Sequence, residues 1–280
     1  MTCNELFMSF ELGLIYGIAA IGIYLTFRVI DFPDLTCDGS FVLGSAVCST
    51  FINNGYNPFV SLIFAMLAGS VAGTATGILC TKLKIQNLLS GILVGFMLYS
   101  VNLRVMGGIP NMSIMNHKTI FSDTPLLQLF IVSLISFGIV SYILMTDFGL
   151  SLISIGQNTR LAQNSGVNVS LISTICLALS NAFIALSGAL FCQHQEFSDI
   201  GNGVGTVIVS LASVMIGEKI FPYRSTLIKV MSCLVGSIVY RLLISFALHS
   251  DILGISTSDL NLITGLIIIA MMAISRRKLC

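Results

Sequence analysis

Charged residues are scarce in this chain, and several stand where chemistry rather than solubility would have to account for them. Phe32-Pro33-Asp34-Leu35 leads through Asp38-Gly39-Ser40 into 41–47, and Phe197-Ser198-Asp199-Ile200 leads through Gly203-Val204-Gly205-Thr206 into 207–214. Each string reads as aromatic, acid, glycine turn, apolar run. A carboxylate in such a place either carries a proton or sodium ion or caps a helix N-terminus by accepting backbone N–H groups. Arg241 lies roughly 18 Å of helix beyond Lys229, well inside an apolar run, and Arg104 lies near the end of another. A guanidinium grips a carboxylate in a bidentate fork, so both suit an anionic solute group; the alternative is snorkelling to the surface, which fits Arg104 better. His117, His194 and His249 offer either proton coupling or a metal gate, or are polar residues at an interface.

Other chemistry is poorly provided for. There is no G-x-S-x-G, no H-E-x-x-H and no acid pair within one apolar run, so no catalytic residues are assigned. Gly217-Glu218-Lys219 lacks the earlier glycine of a phosphate-binding loop, Ala212 standing there, so any ATP must be hydrolysed by another chain. The eight cysteines form no C-x-x-C pair and have no histidine at ligand spacing; they read as small core-fillers, with no metal site. A net charge of +1 gives no field for nucleic acid.

The elements that must position these residues are set by composition. Of 280 residues, 55% are hydrophobic and 9% charged, with mean hydropathy +0.97. This is an all-α polytopic membrane protein, because lipid leaves no backbone group unpaired and a crossing helix needs about 20 apolar residues. Long candidates cover 6–30, 57–80, 85–103, 125–145, 169–192, 226–248 and 259–274. Two shorter ones, 41–52 and 204–217, read as tilted, broken or re-entrant, giving about nine segments. If all cross, Lys82, Lys84, Arg160, Lys219, Arg224, Arg276, Arg277 and Lys278 fall on one side, against Lys118 and Arg104 on the other. The positive side is cytoplasmic, which predicts an external N-terminus and a cytoplasmic C-terminus. The short segments would then be reached from opposite sides, as in an inverted-topology repeat of 6–124 and 125–275 within one transmembrane domain spanning 1–280. Gly69, Gly73 and Gly77, with the pairs Gly13/Gly17 and Gly91/Gly95, predict close helix packing within the chain.

The stretch 147–168 is amphipathic and does not fit a simple bundle. Asn158 is the expected N-cap of a short helix through Leu161, Ala162 and Ser165, ended by Gly166. It is either a knob for another protein or an interfacial anchor.

Several of these strings together resemble the permease subunits of bacterial ATP-binding-cassette importers of the branched-chain amino-acid and ribose type, closest to the tryptophan/tyrosine-type amino-acid branch. The similarity rests on Asp34-Leu35-Thr36 with Gly39-Ser40-Phe41, the run Asn102-Leu103-Arg104-Val105-Met106-Gly107, the pattern Gly156, Asn158, Ala162, Gly166, and Ile216-Gly217-Glu218, with further matches at 240–244 and 259–264. The resemblance implies that 147–168 is a coupling loop docking on a separate ATPase through Gly156, Asn158, Arg160, Ala162 and Gly166. It implies a translocation pathway that takes in Asp34, Asp38, Gly39, Asn102, Arg104, Asp199 and Arg241. The family carries a basic residue where this chain has Ile153, which leaves Arg160 as the one charge between Asp147 and Asn168. The implied setting is the bacterial inner membrane, as a homodimer with a periplasmic or extracellular solute-binding protein. The chain would need no cofactor, ATP and Mg lying on the ATPase, and the solute would be small, such as an amino acid. The competing reading is a self-sufficient ion-coupled secondary transporter using Asp34 and Asp199.

Overall fold

The computed structural model describes residues 3–121, 125–221, 225–248, 265 and 269. The expected span at 259–274, His249, Arg224 and the basic tail lie outside the described residues.

Apolar runs of membrane length become the long helices. They are α1 (Cys3–Ile23, continued by a π-helical turn Tyr24–Val29), α3 (Pro58–Thr81), α4 (Asn87–Val105), α5 (Pro125–Met145), α8 (Val169–Gln195) and α10 (Thr226–Leu248), in numbering that counts every helix in chain order. Their starts follow local chemistry: Asn57 accepts the Phe59 N–H with Pro58 in the first helical position, and Asn168 accepts the Leu171 N–H. Shorter helices complete the chain: α2 (Thr36–Asn53), α6 (Asp147–Gln157), α7 (Thr159–Asn164) and α9 (Thr206–Ile220). Strands β1 (Asn111–Ser113) and β2 (Phe197–Asp199) pair antiparallel, Met112 opposite Ser198.

Seven stretches among the described residues are long and apolar enough to cross a membrane; the nine expected included 259–274, which lies outside the described residues. Two differences from expectation are physical. The segment expected at 204–217 continues a 3-10 turn at Ile200–Gly203, and together they make one 21-residue candidate, Ile200–Ile220. The segment expected at 41–52 is an unbroken 18-residue helix, α2, roughly 27 Å long. Its serines and threonines are buried against other helices rather than lipid, so its low hydropathy reflects position at the centre of the bundle.

The centre is α8 laid against α3, α2 and α1. Glycine lets these backbones touch. A Cβ on Gly44 would collide with the Ala185 carbonyl, and one on Gly188 with the Phe41 carbonyl, so α2 and α8 cross with nothing between them. Gly69, Gly73 and Gly77 meet Asn181, Leu177 and Thr174 of α8, while Gly13 and Gly17 meet Ile238 and Leu234 of α10. These stripes therefore serve packing within the chain. Hydroxyls tie the same contacts to main chain: Ser180 donates to the Gly22 carbonyl at 2.7 Å, Ser187 to Ile15 at 2.7 Å and Ser237 to Gly13 at 2.8 Å.

The α2–α8 crossing admits no side chain, whereas Gly138 on α5 has open space around it. Gly188→Val is therefore expected to cost more than the ~1–3 kcal/mol of ordinary overpacking and to abolish the folded peak in size-exclusion chromatography. Gly138→Ala should leave thermal unfolding in detergent unchanged or raise stability by up to about 1 kcal/mol.

Candidate functional site

The loop 30–35 and the first turn of α2 are irregular backbone inside the bundle, and their polar groups are satisfied by protein. Asp34 is fully buried. Its carboxylate accepts the Thr36 N–H at 2.9 Å and the Asn181 amide at 2.8 Å. Asn181 in turn accepts from Ser40 at 2.6 Å, and the Thr36 hydroxyl meets that of Thr76 at 2.7 Å. Asp34 thus caps α2 and ties it to α8, while Thr36 ties it to α3.

Asp38, one turn on, does a different job. Its carboxylate accepts the N–H groups of Gly205 at 3.3 Å and Val207 at 2.9 Å, so a residue of α2 caps the N-terminus of α9. Gly205 sits at φ +89°, a left-handed conformation that suits glycine, and swings the chain into α9. Gly203 is pressed onto Asp38 and Val42. On the other side, Gly39 packs against Leu98 of α4, and Asn102, one turn further along α4, donates to the Gly39 carbonyl at 3.2 Å. A cavity of about 500 Å³ opens among these three elements, with Asp38, Gly39, Asn102, Tyr99, Phe96 and Val204 in its lining.

Three of the expected pathway residues, Asp38, Gly39 and Asn102, are brought together here. Four are not in this lining. Asp34 is enclosed by its partners. Asp199 lies in β2, accepting from Asn111 at 3.2 Å and from the Gly201 N–H at 2.6 Å. Arg104 is exposed at the C-terminal turn of α4, the position that snorkelling requires. Arg241 lies with its guanidinium carbon 4.0 Å above the Tyr16 ring, and Tyr16 stacks on Phe41 at 5.6 Å. Sequence reasoning did not foresee that Tyr16 holds this cation, nor that Tyr99 and Phe96 line the cavity; their only signal was helical spacing from Asn102. His194 is not a simple interfacial residue: its Nε2 lies 2.8 Å from Glu11 Oε2 with both side chains largely buried, joining α8 to α1.

The second site is where α6 and α7 lead into α8. As expected, Asn158 caps α7, its Oδ1 accepting from the N–H groups of Arg160 and Leu161, both at 3.1 Å. Gly166, at φ +85°, ends it: the Gly166 N–H bonds to the Gln163 carbonyl and the Val167 N–H to the Ala162 carbonyl. Ala162 is buried, whereas Arg160 and Leu161 are exposed. Gly156 is pressed onto the Val29 carbonyl of the π-helical turn, and Arg28 of that turn pairs with Glu218 at the end of α9. Ile153 packs on the core.

Asn158→Ala removes two cap bonds and should destabilise α7 by about 1 kcal/mol. Faster amide hydrogen exchange at Arg160 and Leu161, with unchanged exchange in α8, is the expected reading.

The chain is similar to known proteins over nearly its whole length. The family described as "Branched-chain amino acid transport system / permease component" matches residues 6–274. A tyrosine transport system permease protein of Clostridioides difficile is 38% identical over 93% of this chain and 88% of its own. An uncharacterised protein of Rickettsia prowazekii is 33% identical over 98% and 99%, and the ribose import permease protein of Escherichia coli is 21% identical over 99% and 87%. The chain belongs to the branched-chain amino-acid-type permease family of ATP-binding-cassette importers, as a membrane-spanning transport component rather than an enzyme.

Proposed function

We propose that this permease forms the pathway of an importer for an amino acid and is driven through α6 and α7 by a separate ATPase. The carrying observation is the capped α7 knob, which holds Arg160 and Leu161 outward while Gly156 seats it on the end of α1. Gly156, Asn158, Ala162 and Gly166 build the knob, and Arg160 is its charged contact with the ATPase. ATP and Mg belong to that partner. The amino-acid assignment is supported by the C. difficile relative.

The finer topology follows from the same reading. Lys82, Lys84, Arg160 and Lys219 lie at the α7 end of the bundle and Arg104 and Lys118 at the β1–β2 end, which supports a cytoplasmic α7 end, an external N-terminus and a cytoplasmic C-terminus in a bacterial inner membrane. Counting α2 and a span at 259–274 gives nine crossings. An inverted repeat of 6–124 and 125–275 is supported by the meeting of its two irregular elements, Asp38 of the first capping α9 of the second. The cavity side carries exposed Phe96 and Val204, a face suited to a second copy of the chain, so the importer is read as a homodimer served by an external solute-binding protein.

Gentle purification followed by mass spectrometry should recover a stoichiometric ATPase. Arg160→Glu should lower ATP-driven uptake in vesicles at least ten-fold with the bundle intact by thermal unfolding. Uptake driven by an ion gradient without nucleotide would defeat this reading.

A further inference from the structure

The cavity between α2, α4 and the turn before α9 has an acceptor with nothing to accept. Asn102 is 1% exposed; its amide nitrogen donates to the Gly39 carbonyl, and its Oδ1 has no hydrogen-bond partner among the described residues. Exchanging the amide oxygen and nitrogen would set two acceptors face to face at Gly39, so the network fixes this orientation. The wall's other polar side chains are the Asp38 carboxylate and the exposed Tyr99 hydroxyl. Two backbone N–H groups occupy part of the capacity of Asp38, since a carboxylate offers about four acceptor sites. Among the described residues neither Lys nor Arg lines the cavity, and the rest of the wall is largely apolar, including Leu35, Val42, Ile92 and Phe96.

We propose that this cavity reads its solute by a primary ammonium group on an apolar body, with Asn102 Oδ1 and the Asp38 carboxylate as the two acceptors. The inference rests on the importer reading and deepens it. A buried unpartnered carbonyl is satisfied when a donor arrives, and a carboxylate in a low-dielectric wall holds a cation strongly. A solute carboxylate is disfavoured against Asp38, which already occupies the α9 N–H groups an anion would seek. A sugar needs donors and acceptors at each hydroxyl, and this wall offers few. Neither of the arginines expected from sequence is in this lining: Arg241 lies over the Tyr16 ring and Arg104 is at the exposed end of α4. An amino acid with an apolar or aromatic side chain fits with its ammonium inward and its carboxylate toward the open side.

The test is calorimetric titration of the permease–ATPase complex in nanodiscs with four probes: L-tyrosine, tyramine, 3-(4-hydroxyphenyl)propionate and D-ribose. Tyrosine and tyramine should bind, with the deaminated acid and ribose at least ten-fold weaker, and Asn102→Leu should weaken tyramine at least ten-fold. Equal binding of the acid or of ribose, binding of none of the four, or unchanged tyramine affinity in Asn102→Leu would overturn the proposal. Asp38→Asn also loosens the α9 cap, so its assembly is checked by co-purification with the ATPase; if it does not assemble, the probe series on the unsubstituted complex decides. Uptake without ATP would remove the importer reading while leaving this binding selectivity standing.

Discussion

Irregular backbone inside a membrane must find its hydrogen bonds in protein, and in this chain one carboxylate meets that demand where two segments converge. The chain leaves β2, makes a 3-10 turn and starts α9, whose first N–H groups have no partner within their own helix. Asp38 supplies the acceptors from α2. That contact sets the spacing of α2 and α9, and with the Gly39–Asn102 bond to α4 it leaves the cavity as the space the three elements cannot fill. Asp34 solves the same problem at the start of α2 without facing a cavity. Two acids one turn apart thus differ in surroundings: one is enclosed by protein and the other stands beside the cavity.

A continuous chain of contacts joins that region to the α7 knob. Gly156 bears on Val29, Arg28 of the same π-helical turn pairs with Glu218, and Glu218 closes α9, whose other end is capped by Asp38. A π-helical turn is easily reset because its wide ring is a poor fit to ideal helix geometry, and such turns recur at functional places.

The glycine stripes and the buried hydroxyls work as a pair. Glycine brings α2, α3 and α8 to backbone contact, and serine or threonine then bonds the neighbouring carbonyls, which lipid-facing helices could not do. This combination explains how α2 can be among the most polar helices and yet the most enclosed.

Much of this was legible in the residues themselves. Apolar run length placed six long helices, because a membrane sets a length scale that sequence must meet. The ends of α7 were legible because capping is local: Asn158 and Gly166 act within a few residues of themselves. The repeated acid–glycine strings pointed to the two irregular elements for the same reason. Which acid met which helix was not legible, since Asp38 and Val207 are joined only by folding, and charge type could not say that Arg241 would rest on Tyr16 or that His194 would find Glu11. The enclosure of α2 was hidden as well, because burial in protein and burial in lipid favour different residues, and only the packing of α8 against it decided which applied. Sequence fixed the helices and their caps through short-range chemistry; tertiary structure alone chose the partners, and with them the cavity.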